Sequence, residues 1–328
     1  MKLRGVNLGG WLLLEKWITP SLFAGLAAED EQSFWTEAAT TKYQRLQQHR
    51  QTFITKRDFE WLAQNQINSV RIPIGYWALQ NDEPFVNCAE QLDQAFRWAS
   101  EFNLKVVVDL HGAPGSQNGL NHSGKIGSIE WNKSANIERT LDIIGQLAKR
   151  YSHWQPLWGI ELLNEPGWEV PLNLLREFYK KGYQKVREHC DESVAVIISD
   201  AFRPLEWNDF MNGPSYKNVV LDMHLYQCFT PEDKALDIQG HLDKTYNQWS
   251  GVISQINRPI IIGEWSLGLD PQTFSGMDKQ QKKTAIKAYA SAQLEVFGRT
   301  TGWFFWTYKT ENMPGWNYKY CVEAGTLP

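Results

Sequence analysis

The run Trp158-Gly159-Ile160-Glu161-Leu162-Leu163-Asn164-Glu165-Pro166 is apolar for most of its length and ends abruptly in an amide, a carboxylate and a proline. Proline stops a strand, and Asn and Glu are ordinary turn residues, so the plainest reading is a strand followed by a turn. A second run, Pro259-Ile260-Ile261-Ile262-Gly263-Glu264-Trp265, repeats the arrangement and ends in another glutamate. Two buried strands that each deliver a carboxylate are the minimum equipment for breaking a glycosidic bond.

Outward from these two, the same kind of run recurs. Residues 3–8, 69–74, 105–111 and 157–164 form one half of the set, and residues 194–200, 219–224, 259–264 and 302–306 the other. All are continuously apolar rather than alternating, the pattern of parallel strands covered on both faces. The segments between them carry helical spacing. Thr55 is placed to cap a helix whose apolar face holds Phe59, Leu62, Ala63 and Ile67, and residues 91–102, 137–151, 174–189, 242–256 and 278–297 repeat the pattern.

Strands alternating with helices eight times predict an α/β fold of the (β/α)8 TIM-barrel type, a single catalytic domain over residues 1–328. The first βα loop is enlarged. Residues 9–50 separate the first strand from the first outer helix, with a further helix expected over 33–50. An insertion at that place emerges on the catalytic face of a barrel and walls the site.

Composition narrows the function. With 42% hydrophobic and 21% charged residues the chain buries a sizeable core, and a formal net charge of -4 offers no basic surface for nucleic acid. No apolar run approaches ~18 residues, so no membrane partner is expected. The first residues lack a signal-peptide core. The expected location is therefore cytoplasmic if the sequence is complete, and secreted if a signal peptide has been removed. Cys88, Cys190, Cys228 and Cys321 stand far apart with no CxxC, which predicts free thiols, or one disulfide in a secreted protein. Neither Gly9-Gly10 nor His111-Gly112-Ala113-Pro114-Gly115 matches a phosphate-binding loop, and the scattered His and Asp residues show no ligand spacing. No metal and no cofactor is expected. The 16 Trp, 12 Tyr and 15 Phe can fill a core, but flat apolar faces are also what sugar rings stack on.

The strand ends carry Asn7, Arg71, His111, Asn164 with Glu165, Asp200, His224 with Tyr226, Glu264 and Trp306. Each has a structural reading: Arg71 as an ion-pair partner, the histidines as core imidazoles, Trp306 as packing, Asp200 as a cap. Their joint placement at the ends where barrel enzymes keep their chemistry outweighs those readings. Acetal cleavage needs an acid for the leaving oxygen and a carboxylate for the oxocarbenium-like centre. Glu165 is assigned as acid/base and Glu264 as nucleophile, on strands that face one another across a barrel at the spacing of a retaining pair. Arg71 and Tyr226 are expected to keep Glu264 ionised, Asn164 to hold the sugar 2-hydroxyl, His111 and His224 to bind hydroxyls or orient the glutamates, and Trp306 to form the floor.

The chain resembles glycoside hydrolase family 5, and within it the exo-β-1,3-glucanase group. Asn164-Glu165-Pro166 is similar to the family's acid/base motif and Ile262-Gly263-Glu264-Trp265 to its nucleophile strand. The subgroup likeness rests on the stretch from Arg4 to Phe23, on the stretch from Asp109 to Gly119, and on His224-Leu225-Tyr226-Gln227-Cys228-Phe229. It implies that Glu15 contacts the terminal sugar in a nonreducing-end pocket and that Phe229 walls the leaving-group side. The subgroup pattern after Gly119 is an aromatic, an acid and an amide. Here Leu120-Asn121-His122 stands instead, which weakens stacking on that wall and brings His122 into the site.

The expected activity is a retaining exo-β-1,3-glucanase, acting as a monomer on a β-glucan oligo- or polysaccharide. An endo-β-glucanase or β-glucosidase on β-1,4 or mixed linkages, and a noncatalytic glucan-binding barrel, are the competing readings.

Overall fold

The computed structural model describes residues 1–37 and 41–328. Eight strands close into a parallel barrel in chain order: β1 (Leu3–Asn7), β2 (Ser69–Gly75), β3 (Lys105–Gly112), β4 (Leu157–Glu161), β5 (Ala195–Ser199), β6 (Val219–His224), β7 (Ile260–Trp265) and β8 (Gly302–Phe305). β8 returns to pair with β1, so no edge is left open. The helices fall where the apolar spacing places them. Lys56–Gln64 starts at a capping box between Thr55 and Asp58, and Lys279–Phe297 at another between Asp278 and Gln281.

Two expectations differ. The helix over 33–50 is two helices, Glu31–Glu37 and Lys42–Thr52, and positions 38–40 between them lie outside the described residues. The helix over 242–256 begins earlier, at Ile238–Asp243, and passes through a π-helical stretch at Lys244–Trp249 before Ser250–Gln255.

The core lies in two shells. The larger packs the outward faces of the strands against the helices, while Leu3, Val107, Ala195, Ile197, Val220, Ile261 and Phe304 fill the bottom of the barrel. Side chains alternate across a strand, so two residues further along the barrel interior comes the next layer. Val107 is followed inward by Asp109 and then His111, and Val220 by Asp222 and then His224. The insertion after β1 shares a small core with the loop after β2, where Trp77 stacks on Phe85 at 3.8 Å and 8° in one cluster with Phe34, Trp35 and their neighbours.

Strand β7 breaks the alternation at the right place. Met223 pairs with Ile262 but His224 with Glu264, so β7 carries one extra residue. The bulge falls at Gly263, where a Cβ would land 2.0 Å from the Asp222 carboxylate, and the Gly263 N–H donates to Asp222 Oδ1 at 2.6 Å. Only glycine admits that approach, and the extra residue turns Glu264 into the barrel.

Candidate active site

Arg71 organises the layer beneath the site. Fully buried, it donates from Nε and Nη2 to both oxygens of Glu161 at 2.7 and 3.1 Å. Nη1 reaches Asn7 Oδ1 at 2.9 Å and Glu264 Oε1 at 3.0 Å, and Nη2 reaches Asn164 Oδ1 at 2.8 Å and lies 3.0 Å from Asp109 Oδ2. One guanidinium cannot neutralise this many carboxylates in a low dielectric. Burial accordingly pushes Glu161 well above the usual carboxyl range and Asp109 to about 7. Asp109, Glu161 and Asp222 are not singled out in the sequence, although for Asp109 and Asp222 an acid two positions before a strand-end histidine in an otherwise apolar run is a readable signal.

Above this layer stand the two glutamates. An oxygen of Glu165, a ring nitrogen of His224 and an oxygen of Glu264 all lie within 4.8 Å of one another. Glu264 Oε2 accepts from the Tyr226 hydroxyl at 2.7 Å, while its Oε1 takes the Arg71 bond. His224 Nδ1 is 2.6 Å from Glu165 Oε1 and 3.5 Å from Glu264 Oε2, and its Nε2 faces Asp222 Oδ2 at 3.5 Å. Glu165 is four residues past the end of β4, with φ of +39°, a left-handed conformation that costs energy for any residue but glycine. Its placement is held by Asn118 Nδ2, which donates to the Glu165 carbonyl at 3.1 Å, and by the flanking bonds of Asn164 N to Leu110 O and Gly167 N to Gln117 O, both 3.0 Å.

Taken one at a time, burial and the neighbouring Glu165 charge push Glu264 up to about 8, against the pull of His224 and Arg71. Burial also opposes the Glu165 charge, but the His224 hydrogen bond overcomes it and takes Glu165 down to about 2. That order is the reverse of the one expected for the two residues, and the hydrogen bonds around them favour the expected one. Glu165, His224 and Glu264 exchange protons as one unit. Glu165 Oε1 and His224 Nδ1 are 2.6 Å apart, close enough for one proton to be shared between them. Both oxygens of Glu264 receive strong donors, one cationic, so the negative charge settles there. His122 Nε2 stands 3.4 Å from Glu165 Oε2, and burial pulls its pKa down to about 4, leaving a neutral ring beside Glu165.

The glutamates open into a cavity of about 610 Å³, lined also by Glu15, Trp17, His111, Tyr226, Trp306 and Trp316. Trp306 stacks on His111 at 5.2 Å and 10°, and His111 Nδ1 bonds Asp109 Oδ2 at 2.6 Å, so the floor is tied to the charged layer. Glu15 is 3% exposed; its Oε2 accepts from Trp17 Nε1 at 2.9 Å, whereas Oε1 is buried with no hydrogen-bond partner. Burial, against the Trp17 bond, raises its pKa to about 8. Phe229 stands at the rim, 5.3 Å from Tyr226 and 6.0 Å from Trp316, and Leu120 is exposed on the same cavity. Asn164 is fully buried with Oδ1 engaged by Arg71, and its Nδ2 is 3.4 Å from His111 Nε2. Asp200 turns to its own loop and accepts from Phe202 N at 2.9 Å.

Trp17 and Trp316 escaped the sequence reading. Trp17 belongs to the insertion after β1 and Trp316 to the loop after β8; they meet edge to face at 5.5 Å. Nothing local marks either one. Cys88, Cys190, Cys228 and Cys321 are unpaired. Two trios of ligand-type atoms converge, Glu161 with Asp222 and His224, and Glu165 with His224 and Glu264. In both, Arg71 is already within 3.0 Å of a member carboxylate, supplying a fixed cation.

Residues 28–312 match the family model described as cellulase (glycosyl hydrolase family 5). The chain is 39% identical to a probable glucan 1,3-beta-glucosidase A of Aspergillus fumigatus, over 99% of this chain and 87% of that protein. It is 37% identical to a glucan 1,3-beta-glucosidase of Blumeria graminis, over 100% of this chain and 87% of that one. Among solved structures, the rutinosidase from Aspergillus niger superposes with a TM-score of 0.82 at 21% identity, over 100% of this chain and 98% of that one, a likeness of fold.

Proposed function

The chain belongs to glycosyl hydrolase family 5, and on that premise we propose that it is a retaining exo-β-1,3-glucanase releasing glucose from the nonreducing ends of β-1,3-glucans, with Glu165 as acid/base and Glu264 as nucleophile. The observation that carries this reading is the approach of the two carboxylates to within 4.8 Å. So short an approach between single oxygens favours the roughly 5–5.5 Å carboxyl separation of retaining pairs over the roughly 6.5–9.5 Å of inverting ones.

In the first displacement the free lone pairs of Glu264 attack the anomeric carbon while the Glu165 proton passes to the departing glycosidic oxygen. In the second, Glu165 removes a proton from water, which attacks the same carbon and releases Glu264. Arg71 and Tyr226 hold the nucleophile ionised and oriented; His224 holds the acid's proton in place. Asn164 Nδ2 serves the sugar 2-hydroxyl, and Trp306 the face of the reacting ring.

Exo action is supported by the insertion after β1, which brings Glu15 and Trp17 into the cavity. The unpartnered Glu15 Oε1 is an acceptor that a sugar hydroxyl of the terminal unit would satisfy. The β-1,3 linkage follows from the names of the relatives. Every group invoked comes from one chain, so a monomer suffices. Incubation with laminarin is expected to release glucose as the first product; a ladder of oligosaccharides with little glucose refutes exo action, and faster cleavage of carboxymethyl cellulose refutes the linkage.

A further inference from the structure

Beyond the cavity, on the side of the acid, lies a second groove of about 660 Å³ lined by Trp168, Leu172, Phe202, Arg203, Pro204 and Leu205. Phe202 lines both this groove and the catalytic cavity, so the two adjoin at that side chain. Trp168 is 64% exposed, a large flat ring left in water three residues after Glu165. It is not loose. The Arg203 guanidinium sits 4.6 Å over the indole and donates from Nη2 to the Trp168 carbonyl at 2.8 Å. The segment from Glu165 to Gly167 is pinned by Asn118 and Gln117, which fixes Trp168 relative to the acid. Ala201 and Phe202 both hold positive φ, +47° and +59°, and this strained turn is what brings Phe202 to the junction.

We propose that Trp168, propped by Arg203 and reached past Phe202, forms a leaving-group subsite that stacks a pyranose ring of the glucan beyond the ring that departs next to Glu165. This rests on the glucanase reading above. The acid marks the leaving-group side. On that side the cavity offers Leu120, Phe229 and, at the junction, Phe202, and past Phe202 the next large flat face along the groove is the indole. One of its faces is covered by Arg203, and the accessible remainder presents the apolar surface a sugar ring's C–H face needs. Since the ring is held before substrate arrives, little ordering cost falls on binding.

The test is kcat/KM for the β-1,3-linked disaccharide and pentasaccharide, in the wild type, Trp168→Ala and Trp168→Tyr. Wild-type kcat/KM rises with length. Trp168→Ala lowers the pentasaccharide-to-disaccharide ratio roughly two- to tenfold, through KM, and Trp168→Tyr restores most of it. A wild type whose kcat/KM does not rise with length overturns the proposal, as does a ratio unchanged by Trp168→Ala. A loss confined to β-glucosides of extended aromatic alcohols overturns a sugar ring as the occupant. If the wild type cuts β-1,4 and not β-1,3 oligosaccharides, it is the linkage reading that fails, and the same ratio measured on the β-1,4 series decides the subsite.

Discussion

Replacing Tyr226 by Phe removes one oxygen and tests the polarity of the glutamate pair. The hydroxyl donates to Glu264 Oε2 at 2.7 Å, and the ring keeps its contacts with Phe229 and Trp316, both 5.3 Å between centroids. A hydrogen bond to a charged group contributes about 1.5–3 kcal/mol, and 1.36 kcal/mol corresponds to one pKa unit. Without it the ionised form of Glu264 is disfavoured, so its pKa rises by roughly 1–2 units. Glu264 acts as the carboxylate, so it governs the acidic limb of the pH profile, and that limb moves to higher pH. On the acid side of the optimum, kcat/KM falls by roughly 10–100-fold, one decade per unit. Above the limb the loss is smaller, because the hydrogen bond stabilises the free carboxylate more than the bond-forming state. The bell therefore narrows from its acid side. The assay is kcat/KM against pH with 4-nitrophenyl β-glucoside, alongside thermal unfolding to confirm an intact fold. An acidic limb that stays in place refutes the assignment of Glu264 as the group whose ionisation Tyr226 supports.

Three further outcomes follow from the same geometry. Glu165→Gln should abolish detectable turnover of β-1,3-glucan yet spare the first step on 4-nitrophenyl β-glucoside, whose leaving group departs without a proton; equal losses on both would deny Glu165 the acid role. Glu15→Gln keeps the shape but replaces one carboxyl oxygen with an amide that only donates, and should lower kcat/KM on β-1,3-oligosaccharides about tenfold, checked by initial rates, with no effect telling against the nonreducing-end contact. Burial pulls His49 down to about 4 while its Nε2–H donates to the Gly10 carbonyl at 2.7 Å. Since the unfolded imidazole titrates near 6.5, its full contribution is present above about pH 6.5 and is lost as pH falls toward 4, roughly 3 kcal/mol in all. Urea unfolding across that window should show His49→Gln with a shallower pH slope than the wild type.

The barrel was legible because parallel strands buried on both faces leave continuous apolar runs, and all eight appear where those runs stand. The site was legible to the depth of the strand ends. Arg71, His111, His224, Tyr226, Glu264 and Trp306 converge because the barrel brings corresponding ends together. The layer below was missed: Asp109, Glu161 and Asp222 look like interruptions of a strand until Arg71 is seen among them. In the sequence Glu165 reads as the end of a strand, whereas it stands on a left-handed turn four residues later, held there by tertiary bonds such as that from Asn118. Trp17 and Trp316 share a wall although about 300 residues separate them, and no local pattern encodes such a meeting. The bulge at Gly263 was equally hidden, since one extra residue in a uniformly apolar run leaves no periodic trace.

A double displacement through Glu264 retains configuration, so the anomeric form of the first glucose released decides whether it occurs. Proton NMR during the early hydrolysis of a β-1,3-oligosaccharide is predicted to show the β-anomer first, with the α-anomer growing in only as mutarotation proceeds. The α-anomer appearing first would mean a single displacement by water and would contradict a covalent intermediate on Glu264.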